Sequence, residues 1–478
     1  MKVLYVVSEA VPFVKTGGLA DVAGSLPKAL VAEGIDARVI LPKYSNIPEE
    51  YRNKMEHVAD ITIPVSWRQK YAGVEKLVYD GVTYYFIDNE EYFRRDGMYG
   101  YGDDAERFSF FSRAVLNLLP AIDFWPDIIN SNDWHAALVN VLLKLEHNGD
   151  SRYENIKTVF SIHNLKYQGI FDKNVMGDVL GLDWQYFNNG DLEFNDSVNF
   201  MKGGIIYADY ITTVSRTYAK EIQYPYFGEN LDGLLRTRSD SLRGIVNGID
   251  TDVYNPATDK YLFENFDETS LEKKLLNKEK LQAQLGLPVG RNIPLLGMVS
   301  RLVEAKGLSL IIRIMDEILV HENCQFVLLG TGDKEFEDWF RDLQWRHPTK
   351  VSSNIFFSNE LAQKIYGSAD MFLMPSIYEP CGIGQLISLR YGTVPIVRET
   401  GGLKDTVKAF NKYDGTGNGY TFSDINAHDL MYSIKRALTE YENMGLWSQI
   451  RLNAIHSDYG WDKSAKEYID LYNQLLGK

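Results

Sequence analysis

Short apolar runs alternate with segments of helical periodicity through almost the whole of this 478-residue chain. In the first half the runs fall at residues 3–7, 37–41, 82–87, 127–131, 158–162 and 210–214; in the second they fall at 295–299, 325–329, 354–357, 371–374 and 394–397. Strands that are apolar end to end are buried on both faces, and strands separated by helices pair in parallel through crossover connections. The expected fold class is therefore α/β with parallel sheets. A chain of this length exceeds what one hydrophobic core supports, and about three domains or two large ones are expected; a glycine-rich turn in each half suggests two, each doubly wound. A short run at 244–247 is taken as the strand that opens the second, giving domains 1–243 and 244–455. Between Phe263 and Leu287 a charged, Leu-spaced segment reads as a surface helix. The last residues, 456–478, keep apolar positions at helical spacing from Trp461 and are expected to form a helix crossing back to the first domain.

Near the N-terminus stands Thr16-Gly17-Gly18-Leu19-Ala20-Asp21, and near the C-terminus Thr400-Gly401-Gly402-Leu403-Lys404-Asp405. Each copy follows an apolar run and precedes a helical pattern, so each is read as a glycine-rich strand-to-helix turn. Glycines let backbone approach a ligand closely, and the helix N-terminus offers free amides to an anion. One such turn in each half fits two nucleotide-binding-like domains that face a shared cleft.

Charge and cysteine content exclude several function classes. A net charge of -15 and a pI near 5.1 disfavour nucleic acid and anionic membrane surfaces as partners. Two cysteines, Cys324 and Cys381, make neither a disulfide framework nor a thiolate metal site. With no span-length apolar stretch, a cytoplasmic location is expected.

In open parallel sheets ligands bind beyond the carboxyl ends of the strands, and four polar clusters fall there. Lys15 precedes the first Gly-Gly turn, with Asp21 one helical turn on. Ser161-Ile162-His163-Asn164 ends a run. Ser300-Arg301 ends another, and Lys306-Gly307 opens the helix behind it. Glu379-Pro380-Cys381-Gly382 follows the run at 371–374. Lysine is disfavoured at a helix N-terminus, so Lys306 needs an anion nearby. A lone histidine at a strand end is more often structural than catalytic, Glu379 could cap a helix, and Cys381 has no adjacent base. Asp250-Thr251-Asp252 has the spacing of a metal-binding pair, although Lys15, Arg301 and Lys306 already supply positive charge. No metal or other cofactor is expected.

Other nucleotide motifs fail. The only Gly-Lys pair is terminal, at Gly477-Lys478, which excludes a Walker loop; Gly330-Thr331-Gly332 lacks the third glycine that the dinucleotide fingerprint needs.

Taken in order, Lys15-Thr16-Gly17-Gly18-Leu19, Asn132-Asp133-Trp134-His135, His163-Asn164, Asn247-Gly248-Ile249-Asp250, Ser300-Arg301 with Lys306-Gly307, Glu379-Pro380-Cys381-Gly382 and Thr400-Gly401-Gly402-Leu403 closely resemble the bacterial glycogen synthases, relatives of the plant starch synthases. The resemblance spans essentially the whole chain. It implies a GT-B type pair of Rossmann-like domains with the site between them. It also implies a metal-independent, retaining transfer of glucose from ADP-glucose to the non-reducing end of an α-1,4-glucan such as glycogen. Carried over residue by residue, His163, Asp133, Glu379, Arg301 and Lys306 are the catalytic set. Lys15, Gly17, Gly18, Asp21, Asn247, Cys381, Gly382, Ile383 and Thr400 are donor-binding.

Two positions depart from the family pattern: Ile383-Gly384 where Leu and then Thr or Asn are usual, and Ile377-Tyr378 where Arg-Phe is usual. Both bear on donor affinity and nucleobase preference. A related transferase making a small sugar conjugate would share the phosphate machinery, and a non-catalytic glucan-binding protein would not need it.

Overall fold

The computed structural model describes residues 1–478 and divides into two compact units, Met1–Asn247 with Trp461–Lys478, and Gly248–Gly460. The strands of the first are β1 (Lys2–Val6), β2 (Asp36–Pro42), β3 (Glu56–Val65), β4 (Arg68–Tyr79), β5 (Val82–Asp88), β6 (Ile128–Asn132), β7 (Lys157–Ile162), β8 (Ile170–Asp172), β9 (Glu193–Phe194), β10 (Ser197–Asn199), β11 (Tyr210–Thr213) and β12 (Leu242–Gly244). Nine of them form one sheet in the order β12-β11-β7-β6-β1-β2-β5-β4-β3, and β8-β10-β9 form a small separate one. From β12 to β5 the large sheet is parallel, and β3 and β4 extend its edge as an antiparallel hairpin.

The second unit holds β13 (Leu295–Val299), β14 (Gln325–Leu329), β15 (Val351–Asn354), β16 (Met371–Met374), β17 (Val394–Arg398) and β18 (Tyr420–Phe422), all parallel, in the order β15-β14-β13-β16-β17-β18. In both units the chain starts at a central strand, completes one side of the sheet, then returns to build the other. The reversal falls between β1 and β6 in the first and between β13 and β16 in the second. Crevices at such switch points are where doubly wound sheets bind ligands.

Fully apolar strands went where their composition requires: Val3, Leu4, Tyr5 and Val6 of β1 and Phe326, Val327 and Leu328 of β14 have no exposed surface. Several expectations need correction. Gly244 ends β12, which pairs in parallel with β11, so this strand closes the first sheet and does not open the second. β15 lies at Val351–Asn354, not 354–357, and Phe356 and Phe357 are exposed beyond it. The helix expected on the surface, Lys274–Gln284, buries Lys274, Asn277, Lys278 and Gln282. Lys278 Nζ donates to Asp370 Oδ2 at 2.9 Å and to Tyr441 Oη at 2.8 Å, and Lys274 Nζ to Thr393 Oγ1 at 2.6 Å and Tyr366 O at 2.9 Å. Charged groups enter a core when every donor finds an acceptor.

The helix Trp461–Leu475 packs on the helix Gly18–Ala32 of the first unit. Tyr472 Oη donates to Asn130 Oδ1 at 2.7 Å and Ser464 Oγ to Val246 O at 2.6 Å, tying it down at both ends. No helix is long and apolar enough to cross a membrane.

Candidate active site

At the switch point of the first unit, the chain leaving β1 carries Ser8 and Glu9 and then loops to the helix that begins at Gly18. Glu9 is buried. Its Oε2 accepts the Thr16 amide and, at 2.8 Å, the Thr16 hydroxyl, and the Gly17 amide also bonds the carboxylate. Burial raises its pKa, partly offset by these donors. The turn expected to cradle a ligand phosphate thus spends two of its amides on the protein's own carboxylate. The 15-residue helix behind it has no side-chain cap at Gly17, so its leading end keeps its partial positive charge. Lys15 Nζ lies 2.7 Å from Asp21 Oδ1. Burial raises the Asp21 pKa and Lys15 draws it back down.

β6 ends in Asn132, and Asp133 follows at φ 53°, a backbone region that aspartate and asparagine tolerate better than most residues. The Asp133 carboxylate accepts the His163 amide at 2.8 Å and the Asn164 amide at 3.3 Å. Burial lifts its pKa to about 7 against those two donors, with a further upward push from Glu9. The His163 ring is oriented by Asn132. Because Asn132 Nδ2 donates to Val6 O at 3.0 Å and Asn130 O at 3.1 Å, its Oδ1 faces His163 Nε2 at 2.8 Å and can only accept. Nε2 therefore carries the proton. Burial lowers the ring's pKa to about 3, which keeps it neutral with Nδ1 as the bare nitrogen. Asn247 is buried at the end of this unit with Oδ1 lacking a hydrogen-bond partner, and its side chain bonds none of these residues.

In the second unit a cavity of about 180 Å³ opens at the carboxyl ends of β13 and β16. Its walls include Arg301, Lys306, Glu379, Gly382, Ile383 and Gly384, with Met374 and Tyr366. Lys306 Nζ meets Glu379 Oε2 at 2.6 Å, and Ser376 Oγ donates to the same oxygen at 3.0 Å. The anion required beside Lys306 is supplied by the fold itself. The exposed Arg301 guanidinium has no protein partner. Cys381 and Thr400 are buried and do not line the cavity.

The second Gly-Gly copy works differently from the first. A side chain at Gly401, where φ is 44°, would put its Cβ 1.9 Å from Glu379 O, and one at Gly402 would lie 2.2 Å from Cys381 O. The Gly402 amide donates to Pro380 O at 3.0 Å. This pair is glycine so that its helix can press against the Glu379–Cys381 loop, which shapes the cavity wall. Asp250, one of the possible metal ligands, accepts the Asp252 amide at 2.9 Å and the Val253 amide at 3.1 Å, which is turn capping.

Two residues at these sites escaped the reading of the sequence. Glu9 carried a signal, a carboxylate just past the end of an apolar strand. Arg398 is buried at the end of β17, with Nε donating to Ser376 O at 2.8 Å and Nη2 to Ile377 O at 2.5 Å, so it fixes the loop that presents Glu379. Nothing distinguished it from an ordinary strand-end arginine.

Two Rossmann-like parallel-sheet units, with cationic and carboxylate groups gathered at both switch points, are the architecture of a two-domain glycosyltransferase. Known proteins narrow the class. Residues 2–237 match the starch synthase catalytic domain family and residues 277–450 the glycosyl transferases group 1 family. The glycogen synthase of Clostridium acetobutylicum is 55% identical over 478 residues, covering 100% of both chains, and that of Desulforamulus reducens is 53% identical over 476 residues, covering 100% of this chain and 99% of its own. The catalytic domain of starch synthase IV from Arabidopsis thaliana, bound to ADP and acarbose, has a TM-score of 0.92 and 33% identity, covering 100% of this chain and 99% of that one. Sucrose-phosphate synthase from Thermosynechococcus elongatus, at 17% identity and a TM-score of 0.62, shares the fold. The chain belongs to the glycogen and starch synthase family.

Proposed function

We propose that this glycosyltransferase moves glucose from ADP-glucose to the non-reducing end of an α-1,4-glucan, with retention at the anomeric carbon and without a metal or other cofactor. The observation that carries the reading is the unpartnered Arg301 guanidinium beside the Lys306–Glu379 pair, in a cavity walled by Gly382, Ile383 and Gly384. At about 180 Å³ it is smaller than the ~300–1,000 Å³ of whole-ligand pockets. It suits a hexose and the phosphate next to it. The starch synthase IV relative is bound to ADP and acarbose, which supports ADP as the leaving group and a saccharide as the acceptor.

Breaking the bond from C1 to the phosphate oxygen builds negative charge on the phosphate and positive charge on C1. Arg301 and Lys306 stabilise the first, since charge-assisted donors aimed at a developing charge carry much of such catalysis. Glu379 Oε2 is taken by Lys306 and Ser376, which leaves Oε1 for sugar hydroxyls. Neutral His163, with Nδ1 bare, accepts a hydroxyl proton in a hydrogen bond to the donor glucose. Lys15 gives up its pairing with Asp21 to a phosphate oxygen. The acceptor oxygen bonds C1 on the face the phosphate leaves, and its proton passes to the departing phosphate oxygen. Asp133 lies at the catalytic centre and helps set its charge.

The two cysteines are free and buried, which accords with a cytoplasmic location, and the net charge of -15 with partners limited to the nucleotide sugar and a neutral glucan. Parallel calorimetric titrations with ADP-glucose and UDP-glucose test the donor. Tighter binding of ADP-glucose is expected; equal or tighter binding of UDP-glucose would overturn that assignment.

A further inference from the structure

The second unit contains another cavity, of about 430 Å³, away from Arg301 and Glu379. Apolar Ile249, Leu386 and Ile455 form part of its wall, and Thr251, Arg390 and His456 supply polar groups. The Arg390 guanidinium makes no hydrogen bond and no ion pair, and its Nε is closed off from solvent without a partner. A half-buried guanidinium is costly to leave without acceptors. The two carboxylates in the wall are otherwise engaged: Glu268 Oε2 pairs with His456 Nε2 at 3.1 Å, and Asp458 Oδ1 accepts the Gly460 amide at 3.1 Å.

We propose that this cavity is a second binding site, one that takes a phosphate group, free or carried on a small metabolite, with Arg390 as its main ligand. The Nη donors of the planar guanidinium match a tetrahedral oxyanion, and the apolar wall leaves room for an attached carbon skeleton. The site lies where the chain enters the unit at Gly248 and leaves it at Gly460. There the Ile249 amide donates to Tyr459 O at 2.9 Å, and both residues line the cavity. An occupant therefore holds this bond closed.

Hydrogen exchange at the Ile249 amide, measured on the full chain, is the test. Inorganic phosphate at about nine times its dissociation constant is expected to slow that exchange about tenfold. The slowing persists in Arg301→Ala, which removes a ligand of the first cavity, and is lost in Arg390→Met, with Arg390→Lys retaining part of it. A hexose phosphate that acts at lower concentration than phosphate identifies a carried phosphate; equal potency identifies the free ion. No protection at saturating phosphate, equal protection in a folded Arg390→Met protein, or the same protection from a neutral hexose would each overturn the proposal.

Discussion

Lys306 Nζ and Glu379 Oε2 lie 2.6 Å apart, with side chains 20% and 9% exposed, so a lysine at the foot of a helix is neutralised by a carboxylate delivered from the neighbouring strand end. Removing one member leaves the other half of a largely buried pair. Lys306→Ala is expected to lower stability by about 1–3 kcal/mol, below the ~3–5 kcal/mol of fully buried pairs because water reaches the lysine. Adding Glu379→Gln should restore the melting temperature without restoring transfer. Melting curves and kcat for the two single variants and the double variant check this; a double variant as unstable as Lys306→Ala would refute it.

Arg301 and Lys15 are expected to act on the departing phosphate and hold up nothing else. Arg301 has no protein partner, and Lys15 is 44% exposed in its pair with Asp21. Arg301→Ala and Lys15→Ala should each fold normally and lose ~100–1,000-fold in rate, the loss typical of a missing oxyanion donor. Near-normal turnover at saturating donor in either variant contradicts these roles.

At Gly384 the structure reverses a plausible gain. Threonine or asparagine is usual there in the family, so Gly384→Thr could be expected to add a hydrogen bond to the donor. Yet a Cβ at this position would sit 3.2 Å from Phe372 Cε1, 3.3 Å from Met374 Sδ and 3.3 Å from Tyr366 Oη. Phe372 is fully buried and its ring lies 4.9 Å from that of Tyr366, so neither yields freely. Overpacking of this kind costs ~1–3 kcal/mol. Weaker ADP binding is expected in Gly384→Thr than in the parent, measured by titration, and tighter binding would show that the rings do give way.

Asp133 carries the clearest pH signature. Its folded pKa of about 7 is above the ordinary aspartate value, so the folded protein binds an extra proton between the two. That stabilisation is complete only below the ordinary aspartate range; it falls progressively as pH rises from there and is gone above about 7, where the buried carboxylate ionises. Asp133→Asn keeps the acceptor oxygen and tolerates the φ of 53°. It should raise the melting temperature at both pH 5 and pH 8, and by clearly more at pH 8. A gain of the same size at both pH values would mean that the carboxylate is already ionised in mild acid.

Much of this was legible in the sequence, and the failures have physical causes. β1, β13 and β16 read correctly because strands buried on both faces are apolar throughout, whereas β6 shows only Ile128 and Ile129 before the buried Asn130, Ser131 and Asn132; the polar residues at or just beyond these strand ends mark the switch points. The hairpin β3–β4 was invisible because its edge position leaves most of β3 in water, which removes the apolar signal. Lys274 and Lys278 look like solvated helix residues until their acceptors, Thr393 and Asp370, are brought in from distant strand ends. The likeness of the two Gly-Gly segments misled for a related reason: glycine marks close approach without saying to what. At Gly401 and Gly402 the approaching group is the Glu379–Cys381 backbone.

The most direct test of the account is transfer itself. Radiolabelled ADP-glucose is incubated with the protein and a malto-oligosaccharide primer, and the product is sized before and after digestion with an enzyme specific for α-1,4 linkages. Label in chains longer than the primer, released by the digestion, with at least ~100-fold less from Arg301→Ala, is the expected result. Label confined to a small sugar conjugate, or primer left unextended while donor is consumed, would contradict it.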